Sequence, residues 1–119
     1  MKKWLCLTAA ISSALTLAAV WAFGFATVPS TVKLENARVR ISEVVYAPGM
    51  PRERYIRQTD QVIIFLDDCR YERTDSATKE KTIRERKSGD VIFHNKGEDA
   101  PVLINQGSKP YRTLVVELK

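Results

Sequence analysis

Beyond Ala37 the chain alternates apolar and polar residues in short bursts, each bounded by glycine or proline. In "ARVRISEVVYAPG", Val39, Ile41 and Val45 share one parity, with Arg38 and Arg40 on the other. That alternation predicts a strand with one buried face, the valine and isoleucine side turned to the core. "QVIIFL" is a continuous apolar run of strand length, rich in β-branched residues, and predicts a buried strand that carries Phe65. "CRYER" and "KTIRERK" predict two charged strands joined by a hairpin through "TDSATKE". The stretch "DSATKEKTIRERK" also admits a charged helical turn. "GDVIFHN", "PVLINQG" and "RTLVVEL" complete the set. In the first of these, Val91 and Phe93 take the core side by parity, which turns His94 away from the interior. Many short strands at close spacing predict an all-β sandwich or barrel.

The first thirty residues follow a different pattern. Lys2 and Lys3 precede an uncharged apolar run from Trp4 to Val28. A basic start, an apolar stretch and small residues before a break are the layout of an export signal, with Gly24 and Ala26 preceding a cut after Ala26. The run is also long enough to cross a bilayer, which needs roughly 20 apolar residues. Residues 1–29 therefore read as a signal peptide or a membrane anchor, and residues 30–119 as one domain. In either case the lysines hold the N-terminus in the cytoplasm. The domain is then exported: periplasmic, secreted, or tethered at the membrane through residues 4–28. Cys6 stands too early in the run for a lipoprotein. With that segment removed, Cys69 is an odd cysteine, expected as a buried thiol.

Composition narrows the function further. The chain has 119 residues and a net charge of +5, two of those charges in the N-terminal segment. Both signs are interspersed elsewhere, with no basic block carrying aromatics, which argues against a nucleic-acid partner. No Cys-x-x-Cys pair exists, and His94 is the single histidine. A structural zinc site and histidine clusters are thereby excluded. Without a second histidine or a placed nucleophile, His94 makes a thin catalytic case. Asp67 and Asp68 read as a turn, and the charges of "KEKTIRERK" as the solvated face of an edge strand.

Glycine spacing carries a resemblance. Counting from Gly49, the pattern Gly, five residues, His-x-His, three residues, Glu, six residues, Gly falls on Tyr55, Arg57, Gln61 and Asp68. Counting from Gly89, the pattern Gly, five residues, Pro-x-Gly, two residues, His, three residues, Asn falls on Asn95, Gly97, Ala100 and Ile104. In this spacing, and in "SGDVIF" and "TLVVEL", the stretch 38–118 resembles a cupin. The resemblance implies a small double-sheet β-barrel of the jelly-roll type, with a homodimer as a common state. It also implies three histidines and a glutamate holding a divalent metal, at the positions where this chain has Tyr55, Arg57, Gln61 and Ala100.

That substituted set is unsuited to a metal. A phenol stays protonated at neutral pH, a guanidinium is a permanent cation, a glutamine offers only a neutral oxygen and an alanine nothing. The expectation is a site with no metal and no other cofactor. Tyr55, Arg57 and Gln61 are the candidate ligand-binding residues, suited to a carboxylate or a sugar-like molecule. The bland alternative is that Arg57 snorkels to solvent and Tyr55 caps the core. The leading functional reading is a non-catalytic, exported domain that binds a small polar or anionic ligand or a partner protein in the cell envelope. Two others stay open: an enzyme with an atypical metal-free site built on Tyr55, Arg57 and His94, and a membrane-tethered dimerisation module.

Overall fold

The computed structural model describes residues 28–119, so the segment read as signal or anchor lies outside the described residues up to position 27. Eleven strands run in chain order: β1 Ser30–Glu35, β2 Val39–Tyr46, β3 Pro51–Arg52, β4 Tyr55–Ile56, β5 Asp60–Phe65, β6 Cys69–Thr74, β7 Lys81–Arg86, β8 Val91–His94, β9 Asp99–Ala100, β10 Val102–Asn105 and β11 Tyr111–Leu118. One sheet has the order β1-β2-β11-β5-β8, a second the order β3-β10-β6-β7, and β4 pairs with β9 alone. All these strand pairings are antiparallel. The expected hairpin through "TDSATKE" is the β6–β7 connection, and residues 81–86 are strand, not a helical turn. Asp75 closes that connection by accepting from the Ala77 and Thr78 amides at 2.9 and 2.8 Å. β7 lies at the edge of its sheet with nearly every residue exposed, and its charges discourage pairing with another strand.

The two sheets enclose an interior built from register. Val44 faces Thr113, which faces Phe65; Ser42 faces Val115, which faces Ile63, which faces Ile92. Tyr46, Ile63, Phe65, Tyr71 and Tyr111 are buried there together with Val28. The aromatic rings form one continuous wall. Tyr46 stacks on Tyr111 at 4.7 Å, Tyr111 meets Tyr71 at 6.3 Å, and Tyr71 stacks on Phe65 at 6.3 Å. Phe65 is in the core as its apolar strand predicts, and Cys69 is a partly buried free thiol packed against that core. Burial pushes the Cys69 thiol up to about 11. Val28, at the end of the N-terminal apolar run, is part of the core cluster.

Two strands present the opposite face from the one their alternation predicts. On β2 the buried residues are Ser42 and Tyr46, so Val39, Ile41 and Val45 lie on the outer side. On β8, Val91 and Phe93 are 59% and 53% exposed, while Ile92 and His94 turn inward. The physical reason is the same in both. The outer face of the five-stranded sheet is itself apolar, and the interior is partly polar, with Arg57, Gln61, Asn105 and Thr113 buried. Hydrophobic alternation names the face that carries apolar residues, and here both faces do.

Candidate functional site

Arg57 follows β4, and its backbone is clamped on both sides. Its amide donates to the Glu98 carbonyl at 3.0 Å, and its carbonyl accepts from the Gly97 amide at 2.9 Å. Gly97 has φ +88, a left-handed conformation that a side chain strains, so glycine is needed to turn the chain onto Arg57. The clamp carries the guanidinium inward. Arg57 is 3% exposed, and its Nη1 donates to Gln61 Oε1 at 2.7 Å and to the Tyr55 hydroxyl at 3.3 Å. Gln61, 3% exposed, is the residue of β5 opposite His94. Tyr55 stands opposite Ala100, with its ring under the guanidinium carbons of both Arg52 and Arg57 at 5.4 and 5.7 Å. Arg57 is therefore buried and does not snorkel, and Tyr55, 39% exposed, sits at the rim.

This set does not fit a divalent cation. Of the four positions Arg57, Gln61 and Ala100 are buried; the guanidinium repels a cation, Gln61 offers a neutral oxygen and Ala100 supplies no donor. Among the described residues no three or more His, Cys, Asp or Glu side chains group together to hold a metal ion.

His94 lines the interior, contrary to its predicted outward position. Its Nδ1 lies 3.0 Å from a Glu98 carboxylate oxygen. Burial lowers its pKa, and the Arg57 charge lowers it further against the pull of Glu98. The imidazole is thus neutral at neutral pH, with Nδ1–H donating to Glu98 and Nε2 left as an acceptor.

The larger finding is what surrounds these residues. A cavity of about 190 Å³ inside the barrel is lined by Arg52, Arg57, Arg73, Arg84 and Arg86 and by the aromatic wall. The single carboxylate lining it, Asp99, is already engaged by Arg54 at 2.5 Å and by the Ser76 hydroxyl at 2.5 Å. The arginines that pair with carboxylates among the described residues are Arg40, Arg54 and Arg112, all outside the cavity. Within it, Arg52 donates to the Pro101 carbonyl, and Arg86 lies over the Phe65 ring at 5.7 Å with its Nε 3.4 Å from the Tyr71 hydroxyl. The buried Nε atoms of Arg52 and Arg57 and the buried Thr113 hydroxyl have no partner.

Sequence reasoning singled out Arg57, Tyr55 and Gln61, which the hydrogen bonds of Arg57 bring together. It missed Arg52, Arg73, Arg84 and Arg86. A signal for two of them existed. Arg84 and Arg86 share one parity of "KTIRERK", and alternate residues of a strand point to one face. A charged edge strand ordinarily directs such residues to water, which hid them.

No family model matches the chain, and neither does any curated protein. Solved structures do. A cupin domain from Bordetella pertussis Tohama I superposes with a TM-score of 0.69 at 17% identity, over 78% of this chain and 94% of its own. The fold is that of the cupins. A cupin superfamily protein from Desulfitobacterium hafniense is similar over 77% of both chains (TM-score 0.56, 20% identity). An RmlC-like cupin from Methanocaldococcus jannaschii matches over 77% of this chain and 80% of its own (TM-score 0.60, 14% identity).

Proposed function

We propose that this cupin-fold domain is an exported, non-catalytic binding module for a small organic anion. The carrying observation is Arg57, a guanidinium 3% exposed with an unpartnered Nε, in a cavity lined by four further arginines and one engaged carboxylate. Burying a cation such as Arg57 without a counter-charge costs several kcal/mol unless something compensates it. An anionic ligand supplies that compensation through charge-assisted, bidentate hydrogen bonds. The export part of the reading rests on the lysine pair and apolar run of residues 1–29. The exposed Val91 and Phe93 of edge strand β8 support pairing of two copies. Thermal-shift and calorimetric titration of the purified protein with carboxylates, phosphate esters and neutral sugars is the test. Stabilisation by anions alone, weakened in Arg57→Gln for anions with two charged groups, is expected; selective binding of neutral sugars overturns the proposal.

The His94–Glu98 pair favours a second reading, a metal-free enzyme in which a neutral imidazole removes a proton from the bound anion. His94→Gln separates the two. It leaves binding and any biological effect in place if the module only binds, and abolishes turnover while sparing binding if it is an enzyme.

A further inference from the structure

We infer that the ligand is a dianion with its two charged groups held apart, one at each end; this rests on the anion-binding reading above. Strand β5 acts as a ruler. Gln61 and Phe65 point to the same inner face, four residues apart, which separates their Cα atoms by roughly 13 Å. Arg57 is fixed to the Gln61 end by its 2.7 Å hydrogen bond. Arg86 lies over the ring at the Phe65 end. Each end has a second cation. Arg52 shares the Tyr55 ring with Arg57, and Arg84 stands opposite Tyr71, whose hydroxyl lies near Arg86 Nε. The cavity is also lined by Ile63, Leu103, Tyr46 and Tyr111, and by Arg73, which stands opposite Leu103. A monoanion engages one of these anchors and leaves the other guanidinium facing the cavity without a counter-charge. A benzene ring bearing para carboxylates holds its two charges rigidly apart, and the aromatic side chains Tyr46, Phe65, Tyr71 and Tyr111 line the cavity that would receive it.

The experiment measures Kd for benzene-1,4-dicarboxylate, benzoate, succinate, adipate and suberate by calorimetry, on the full chain and on Arg57→Gln, Arg84→Gln and Arg86→Gln, each checked for folding by circular dichroism. Benzene-1,4-dicarboxylate is expected to bind roughly tenfold to a hundredfold more tightly than benzoate, the worth of a second charge-assisted pair. Arg86→Gln or Arg57→Gln should bring the dianion to within about threefold of benzoate, while benzoate, which keeps one intact end, changes little. Among the linear diacids, affinity should pass through an optimum with length. Equal Kd for benzoate and the dicarboxylate in the unmodified chain overturns the dianion but leaves the anion module standing. Binding of no anion removes both. If Arg57→Gln does not fold, Arg86→Gln decides: undiminished preference for the dianion refutes the two-ended site.

Discussion

Arg57 and Gln61 meet at 2.7 Å in the barrel interior, each only 3% exposed, at two positions where cupin spacing places a metal ligand. The amide oxygen that takes a carboxylate's place neutralises none of the arginine's charge. Arg57 is consequently a cation held by a neutral acceptor, and burial pushes its pKa down from the ordinary value. It still stays protonated, since an arginine side chain does not release its proton in proteins.

The first prediction follows from that imbalance. Replacing only Gln61 by Ala leaves the Nη1 donor with the Tyr55 hydroxyl at 3.3 Å and should cost about 1.5–3 kcal/mol, the worth of a hydrogen bond to a charged group. Replacing both, Arg57→Met with Gln61→Leu, removes donor and acceptor together and should be neutral or stabilising. Urea unfolding measures both. The double variant should also lose the preference for a dianion over a monoanion. A double variant less stable than Gln61→Ala alone would make the pair structural.

Phe65→Ala tests the core rather than the site. Phe65 is 4% exposed and stacked on Tyr71, and truncating a buried phenylalanine costs about 3–5 kcal/mol. The same change removes the ring beneath Arg86. Denaturant unfolding should show the full loss. A cost below about 1 kcal/mol would mean that the barrel collapses around the gap.

The pH dependence of stability should carry the mark of His94. Its folded pKa is lowered below the ordinary histidine value of 6.5, first by burial and then by Arg57. The unfolded chain therefore binds more protons than the folded one just below that value. The contribution is fully present above it and is lost as pH falls through the window toward the folded pKa. The pKa values of Glu98, Asp67 and Asp99 are also lowered, from 4.5, 3.8 and 3.8, so their contributions fade only at lower pH. Thermal melts from about pH 7.5 to about pH 5.5 should fall steadily in the unmodified protein and flatten in His94→Gln. Equal slopes in the two proteins would assign the loss to other groups.

What was legible in the sequence is tied to backbone demands and long apolar runs. Gly49, Gly89 and Gly97 all have positive φ, so their spacing reports turns that no other residue takes easily. The run containing Ile63 and Phe65 is buried on one face, and it lies inside the larger sheet between β11 and β8. The faces of β2 and β8 were not legible. Val91 and Phe93 look like core residues, but they cover the outside, and the inward place goes to His94. Arg84 and Arg86 were lost for the complementary reason. A guanidinium facing an interior looks in sequence like one facing water, and only the packing of β6 and β7 over the cavity separates the two.

The last prediction is that a metal site can be put back. Tyr55 pairs with Ala100 across β4 and β9, and Arg57 reaches Tyr55 and Gln61 through hydrogen bonds, so the four substituted positions converge on one place. The Gly97 turn holds the backbone there by its 2.9 Å bond to the Arg57 carbonyl. Only the side chains then oppose a cation, and Arg57 opposes it most. Combining Tyr55→His, Arg57→His, Gln61→Glu and Ala100→His removes the buried charge and supplies three imidazoles and a carboxylate, a set suited to first-row divalent ions. Glu98 remains nearby as a carboxylate able to orient an imidazole, as it does His94. The quadruple variant should take up nickel, zinc or manganese in a one-to-one ratio, read by calorimetry and elemental analysis after gel filtration, and should melt higher with the metal than without it. The triple variant that keeps Arg57 should take up none. A folded quadruple variant that binds no metal would show that the four Cβ atoms do not aim at a common point, and the correspondence of Tyr55, Arg57, Gln61 and Ala100 with a ligand set would fall.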